Sequence, residues 1–178
     1  MDSTEFRLQG PDHYVRMADL LPLIPDNDWI WSVLEVDGIW SVPAGDRTSG
    51  IPGDLSAEAF EDLVQASPTG FVLGWSELRA FAADLEQNHW LTVVAVRSAD
   101  DLVGAELRAE DYSRCLVLLE AFDSGSWTVA ARPGATGHHD IVAAARARYG
   151  GQEAARGPSG GPPRASGGRT DGPDDGRR

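Results

Sequence analysis

The histidines are the first candidates for chemistry, because histidine is the commonest metal-binding side chain and a frequent acid or base. His138 and His139 precede Asp140 at the start of a predicted helix. Neighbouring residues on a helix point about 100° apart, so these two rings cannot both face one metal ion comfortably. Neither an HExxH nor a His-x-His spacing occurs. We therefore predict no metal site, and no catalytic role for these histidines.

The single cysteine and the glycine-rich segment offer no clear chemistry either. Cys115 precedes the apolar run LVLLEAF, which predicts a small core residue rather than a nucleophile. One cysteine also excludes an intramolecular disulfide. The segment GDRTSGIPGD over 45–54 lacks the spacing of a phosphate-binding loop, and the chain has no lysine to reach a phosphate. We predict no catalytic residue and no cofactor.

Acidic residues dominate the charge of the chain. They number 28 against 15 bases, all arginine, for a formal net charge of −13. Residues 1–150 hold 24 acids and 10 arginines, a net charge of −14, so the acidity belongs to this part. Nucleic-acid binding is improbable on such a surface, since phosphate contacts need bases. A basic protein is the partner that this charge favours.

The acids with the best exposed positions predict where that partner binds. Three of them project from one side of a predicted helix, and two more, with a tryptophan, stand just before a predicted strand. The tryptophan is included because this residue type is enriched at interface hot spots. The predicted partner-binding residues are Glu58, Glu61, Asp62, Asp26, Asp28 and Trp31.

The elements that must position these residues alternate between helix and strand. Apolar residues at helical spacing and suitable capping residues predict four helices, and continuous apolar or β-branched runs predict strands. The predicted helices are Tyr14–Leu21, Ser56–Ala66, Ser76–Gln87 and His138–Tyr149, with a partly helical stretch over 99–112. Phe60, Leu63 and Val64 form the predicted buried stripe of the second helix.

Two hairpins are predicted. In WIWSVLEVDGIWSV, Asp37-Gly38 has the composition of a two-residue turn with positive φ at both positions. In that arrangement Val36 faces away from Trp31 and Val33. A second hairpin joins RCLVLLEAF to WTVAA. With a short strand at 71–73 and a central strand at 91–96, the pattern predicts an α+β domain with one mixed, mainly antiparallel sheet and packed helices. A doubly wound α/β fold is the alternative.

The chain divides near Gly150. Residues 1–150 are predicted to form one globular domain, and residues 151–178 a disordered tail, because the tail lacks large apolar residues. No apolar run approaches the roughly 20 residues of a membrane span. The N-terminus carries acids where a signal peptide would be basic. These features predict a cytoplasmic protein that does not bind membranes.

The segment CLVLLEAFDSGSWTVAA resembles a recurring element of small, poorly characterised bacterial α+β families. Some of these families are immunity proteins that neutralise toxins of competing bacteria. The resemblance, over residues 27–149, implies a small cytoplasmic binding protein without catalysis and a toxin-like basic partner. It identifies no site residue. A small enzyme or ligand-binding domain with a scattered site is the alternative, and an accessory protein of purely structural role is a third possibility.

Overall fold

Six strands and five helices occupy the part of the chain that the computed structural model describes, namely residues 1–7, 14–40, 55–123, 125–136 and 140–149. The strands are β1 (Asp2–Arg7), β2 (Ile30–Trp40), β3 (Phe71–Leu73), β4 (Leu85–Val96), β5 (Val117–Phe122) and β6 (Ser126–Ala131). The helices are α1 (Met17–Leu20), α2 (Ala57–Ala66), α3 (Trp75–Asp84), α4 (Gly104–Arg108) and α5 (Ile141–Tyr149). Short 3-10 turns follow α1 at Leu21–Leu23 and precede α4 at Ala99–Asp101.

The six strands form one sheet in the order β1-β6-β5-β4-β2-β3, and each pairing is antiparallel. This confirms the α+β class. The doubly wound alternative is wrong, because it needs parallel strands joined by crossover helices. The tail at 151–178, predicted to be disordered, lies outside the described residues.

The predicted hairpin at Asp37-Gly38 is wrong. β2 runs straight through both residues, with Asp37 opposite Trp90 and Gly38 opposite Asn88 on β4. A turn was expected because Asp-Gly is a strong hairpin signal, but β4 begins six residues earlier than predicted and extends the ladder past this point. Gly38 is not among the described glycines with positive φ. It lies where a Cβ atom would overlap the carbonyl oxygen of Gln87.

An irregularity in β2 also changes which face its residues occupy. The register with β4 shifts between Val33 and Glu35. An extra residue in one strand reverses the alternation of side chains beyond it. Val36 therefore joins Trp31 and Val33 in the main core, and the predicted opposite placement is wrong.

Helices cover the face of the sheet that bears Trp31 and Val33. α2 begins after the predicted N-cap, Ser56, whose hydroxyl accepts a hydrogen bond from the amide of Ala59 at 3.1 Å. Its Phe60 and Val64 are buried as predicted, whereas Leu63 is 40% exposed. The stripe is narrower than predicted because α2 packs along β2 near the edge of the sheet, beside the short strand β3.

The opposite face is covered over one half only. There the segment between β4 and β5, which includes α4, packs Leu107 and Cys115 onto Val94, Val96 and neighbouring apolar residues. Cys115 is fully buried, as predicted for a core residue. The other half of this face carries no helix in the described chain.

The C-terminal elements match their predictions closely. β5 and β6 form the second predicted hairpin, with Asp123 at a φ of 51° in its turn. α5 buries Ile141, Val142 and Ala145, and the two histidines predicted at its start lie outside the described residues. α1 is shorter than predicted, α3 ends three residues before the predicted boundary, and β1 was not predicted.

Candidate interaction face

The uncovered half of the sheet carries two rows of side chains. In the first row, Glu35 of β2 lies opposite Thr92 of β4, which in turn lies opposite Glu120 of β5. In the second row, Asp37, Trp90 and Phe122 follow one another in the same way. We call these six residues, Glu35, Asp37, Trp90, Thr92, Glu120 and Phe122, the acidic face. Side chains two apart on a strand share a face, which places both rows opposite the helices.

Trp90 and Phe122 are the large aromatic side chains of this face that remain exposed. They are 42% and 50% exposed, and their rings meet edge to face with centroids 4.3 Å apart. A cross-strand aromatic pair stabilises an antiparallel sheet. An exposed apolar pair rimmed by charges is also the composition of an interaction site, where aromatic anchors supply much of the binding energy.

A cleft of about 580 Å³ opens beside the acidic face. Glu35 and Thr92 form its floor on the sheet, and Arg108, Glu110 and Tyr112 line the wall that follows from α4. The end of α2 and the residues after it, 65–68, form the opposite wall. The cleft therefore lies on the sheet between the C-terminal ends of α2 and α4.

Glu120 lies close to other negative charges beside the cleft. Burial raises the pKa of Glu120, and the negative charges of Glu110 and Glu35 raise it further. Burial, followed by the charges of Glu120 and Glu110, raises the pKa of Tyr112 to about 12. None of these three glutamates forms an ion pair with another described residue. The site therefore has an excess of negative charge that a cation would relieve.

Glu110 reaches the cleft from a left-handed backbone conformation, with φ at 57°. It follows α4 in the position where helices usually place glycine. The amide of Glu110 donates to the carbonyl of Leu107 at 3.1 Å, and that of Asp111 donates to Glu106 at 3.0 Å, which closes the helix end. A side chain in this conformation costs roughly 1–2 kcal/mol relative to ordinary helical backbone. The chain thus places a carboxylate at a position that favours glycine.

The predicted acids on α2 occupy different environments. Glu58 and Asp62 are exposed. Glu61 is partly buried against β2, and burial raises its pKa. Glu58 and Asp62 are therefore the more accessible of the three to a partner.

The predicted partner-binding residues before and at the start of β2 also differ in how accessible they are. Asp26 is exposed but held, since it accepts a hydrogen bond from the indole of Trp75 at 2.8 Å and lies 3.9 Å from Arg79. Asp28 is exposed. Trp31 is completely buried, with its indole donating to Asn27 at 3.1 Å, so its predicted contact with a partner is wrong. Bulk explains this outcome, because the tryptophan fills the core beneath α3.

Other candidates for chemistry do not converge on the cleft. Burial raises the pKa of Cys115 to about 11, which disfavours the nucleophilic thiolate. His89 lies 3.6 Å from Asp37 on the surface. Among the described residues, no three histidine, cysteine or acidic side chains are placed to hold a metal ion. The same part of the chain contains no helix with the length and apolar character needed to span a membrane.

Comparison with protein family models, curated proteins and solved structures finds no match to this chain. The resemblance to immunity-type families therefore stays a prediction. A function must be inferred from the fold and from the geometry of the acidic face.

The residues of the acidic face were missed at the level of sequence. Acidic residues stand at alternate positions within apolar strand sequences, namely Glu35 and Asp37 in LEVD and Glu120 in LLEAF. Such charges indicate a solvent-facing side. That signal was present in the sequence. The predicted turn at Asp37-Gly38, however, paired the residues before it with the residues after it, so the pairing of β2 with β4, and of β4 with β5, was not recognised.

Proposed function

We propose that this chain is a non-catalytic binding protein whose acidic face takes up a basic partner protein, as an immunity protein takes up a toxin. The observation that carries the proposal is the exposed Trp90–Phe122 pair, which lies beside the carboxylates of Glu35 and Glu120, neither of which forms an ion pair with a described residue. Aromatic anchors inside a charged rim are typical of protein interfaces. The predicted cytoplasmic location belongs to this proposal.

The charge of the domain supports a basic partner. With 24 acids and 10 arginines in residues 1–150, the field around the domain attracts positively charged proteins and repels nucleic acid. Complementary charge raises association rates and discriminates against wrong partners. The acids on α2 would add to this attraction at longer range, whereas direct contact is proposed at the acidic face.

A ligand-binding domain is the second candidate, and the cleft favours it. Its volume of about 580 Å³ is within the range of small-molecule sites. Its lining includes the charged side chains of Glu35, Arg108 and Glu110, however, whereas most small-molecule sites are predominantly apolar. The acidic face beside the cleft supports the protein-binding proposal better.

Affinity capture followed by kinetics tests the proposal. Tagged protein and a W90A/F122A variant would be exposed to proteins of the source organism and of its competitors. A basic protein that binds only the unmodified chain would then be purified. We expect its association rate to fall about tenfold or more between low and high salt, since the Debye length shrinks from about 30 Å at 0.01 M to about 3 Å at 1 M.

Two double variants that remove the same number of charges would show which surface contacts the partner. E35Q/E120Q and E58Q/D62Q each remove two negative charges, the first pair from the acidic face and the second from α2. We expect the first pair to raise the dissociation rate strongly and the second to change mainly the association rate. Equal effects of both pairs on dissociation, or binding that is indifferent to W90A/F122A, would contradict the proposal.

A further inference from the structure

A second cavity, of about 460 Å³, opens between the 3-10 turn after α1 and the helix α3. Its walls combine aliphatic side chains, one indole and two opposite charges. We call it the tryptophan groove, and its lining includes Leu21, Pro22, Ile24, Asp26, Trp75 and Arg79. The groove borders the main core on the helical side of the sheet, so it is separate from the acidic face.

Trp75 supplies a flat aromatic surface that is held in one orientation. It is half-buried, with its ring 5.6 Å from the buried ring of Trp31. Its indole N–H donates to Oδ1 of Asp26 at 2.8 Å, which fixes the ring from the outside. Grooves lined by such aromatic surfaces are the usual docking sites of proline-rich segments in the polyproline II conformation.

Asp26 offers a carboxylate oxygen to a cation beside this surface. The hydrogen bond from Trp75 and the 3.9 Å approach of Arg79 both involve Oδ1. Within the described chain, no donor reaches Oδ2 of Asp26, whose side chain is 88% exposed. The contact with Arg79 is long and open to solvent, so it is weak. The groove therefore suits a proline-rich segment that carries an arginine.

The chain leaves α5 next to this groove. The hydroxyl of Tyr149 donates to the backbone carbonyl of Asp19 at 3.1 Å, and Ala18, the preceding residue, lines the groove. α5 also contacts the 3-10 turn Leu21–Leu23, whose first two residues form part of the lining. The segment that follows Tyr149 therefore starts beside the groove.

That segment contains a Pro-Pro-Arg sequence, Pro162-Pro163-Arg164. Proline rings fix φ near −65°, which favours the polyproline II conformation. Pro162 follows Tyr149 by 13 positions. A flexible chain of that length spans about 20 Å on average and about 40 Å when extended, so it can reach the groove. A tether this short gives an effective concentration of about 1 mM.

We propose that Pro162-Pro163-Arg164 docks in the tryptophan groove of the same chain. The two prolines pack against the indole of Trp75 and against Pro22. The guanidinium of Arg164 donates to Oδ2 of Asp26. The inference is independent of the proposed function, because the groove and the acidic face lie on opposite sides of the sheet.

NMR of the full-length protein tests the contact inside the chain. The indole N–H signal of Trp75 and the amide signals of Ala18 and Arg79 would be compared between the parent and a P162A/P163A/R164Q variant. The matched control, P158A/P173A/R177Q, also removes two prolines and one arginine from the same segment. We expect the signals to shift in the first variant and to stay in place in the control. Unchanged signals in the first variant, or equal shifts in both, would overturn the inference.

A peptide of residues 158–168 tests the occupant separately from the tether. Added to the P162A/P163A/R164Q variant, it should bind saturably and return the Trp75 signal toward its position in the parent. Its binding to the parent should be at least twofold weaker, because the chain's own segment competes at about millimolar effective concentration. Equal affinity for parent and variant would show a groove open to a segment of another protein, and would overturn the inference, as would absence of binding to the variant.

A second substitution in the groove assigns the charge contact. D26N, placed in the P162A/P163A/R164Q variant, keeps an oxygen that can accept from the Trp75 indole but removes the negative charge. It should weaken peptide binding about two- to fivefold, the usual range for an exposed ion pair. D28N removes the same charge from a residue outside the groove and should leave the affinity unchanged. Circular dichroism would confirm that each variant is folded. An unchanged affinity in folded D26N would overturn the assignment of Arg164 to Asp26.

Discussion

At the scale of single residues, Gly38 requires glycine for a reason that the neighbouring sequence does not indicate. The dipeptide Asp37-Gly38 resembles a turn, but Gly38 lies within β2, where the carbonyl of Gln87 and the side chain of Leu85 fill the space of a Cβ atom. The requirement is therefore close approach of two strands, and φ is not positive at this glycine.

Replacement of Gly38 by alanine should lower the free energy of unfolding by about 1–3 kcal/mol, the usual cost of overpacking. Urea unfolding followed by tryptophan fluorescence would measure it. Gly134 is the matched control, because its φ is 75° but no atom lies within 4 Å of its missing Cβ. Its alanine variant should lose only the roughly 1 kcal/mol of a left-handed backbone. A Gly38→Ala variant as stable as the parent would contradict the observed register.

The buried thiol and phenols predict how stability depends on alkaline pH. Burial raises the pKa of Cys115 from 9.0 to about 11 and that of Tyr112 from 10.0 to about 12. Burial also raises the pKa of Tyr14 and Tyr149. The unfolded chain releases these protons at lower pH than the folded chain does, so stability is full below pH 9 and is lost between about pH 9 and 12.

The absence of lysine makes this prediction unusually clean, because no lysine titrates in the same range. We expect the urea midpoint to be steady up to pH 9 and to fall steadily above it. A C115A/Y112F variant should show a shallower fall, since two of the groups are removed. A midpoint independent of pH up to 11 would show that these groups are not buried in solution.

At the scale of elements, the end of α4 combines local strain with a charge that acts on the cleft. Glu110 adopts the left-handed conformation in which glycine is usual, and its carboxylate adds to the charge that raises the pKa of Glu120. We expect Glu110→Gly to raise the free energy of unfolding by about 1 kcal/mol. Glu110→Gln keeps the strained backbone and removes only the charge, so it should give a smaller gain. Thermal unfolding of both variants would separate the two contributions. A destabilised Glu110→Gly variant would contradict this account of the helix end.

Elements were predictable from sequence where one local signal decided them. Ser56 as the N-cap of α2, the β5–β6 hairpin and the buried positions of α5 all followed from capping, turn composition and periodicity. β1 and the full length of β4 did not follow, because their strand state depends on pairing with distant partners. The register shift in β2 is likewise a property of the paired strands, and no single-strand pattern specifies it.

The candidate face was less predictable than the fold. The sequence showed the excess of acids, but it did not show which acids stand together. Glu35 and Glu120 are 85 positions apart in the chain and become neighbours of Thr92 only through the strand order of the sheet. Trp31 was expected to contact a partner because residue type alone cannot distinguish an interface anchor from a core residue. Its complete burial, and the exposure of Trp90, depend on which side the helices cover.

At the scale of the whole molecule, the sheet is covered unequally, and its charge acts on both folding and binding. One face packs against helices along its length, whereas the described residues cover the other face only near α4. The other half of that face holds Glu35 and Glu120, which form no ion pair with any residue that the structure describes. The negative charge that would attract a basic partner also repels itself within the folded domain, so the same field should weaken the fold and favour association.

Salt should therefore stabilise the isolated protein. Raising sodium chloride from about 0.02 to about 0.5 M screens the repulsion among the 24 acids of residues 1–150. We expect a gain on the order of 1 kcal/mol, or roughly 3–5 °C in the unfolding temperature of a domain of this size. Differential scanning calorimetry would measure it. The E35Q/E120Q variant should begin more stable at low salt and gain less from salt, because part of the repulsion is already gone. If salt lowered the unfolding temperature, attractive ion pairs would outweigh repulsion, and the acidic face could not be the unsatisfied surface on which partner binding is proposed.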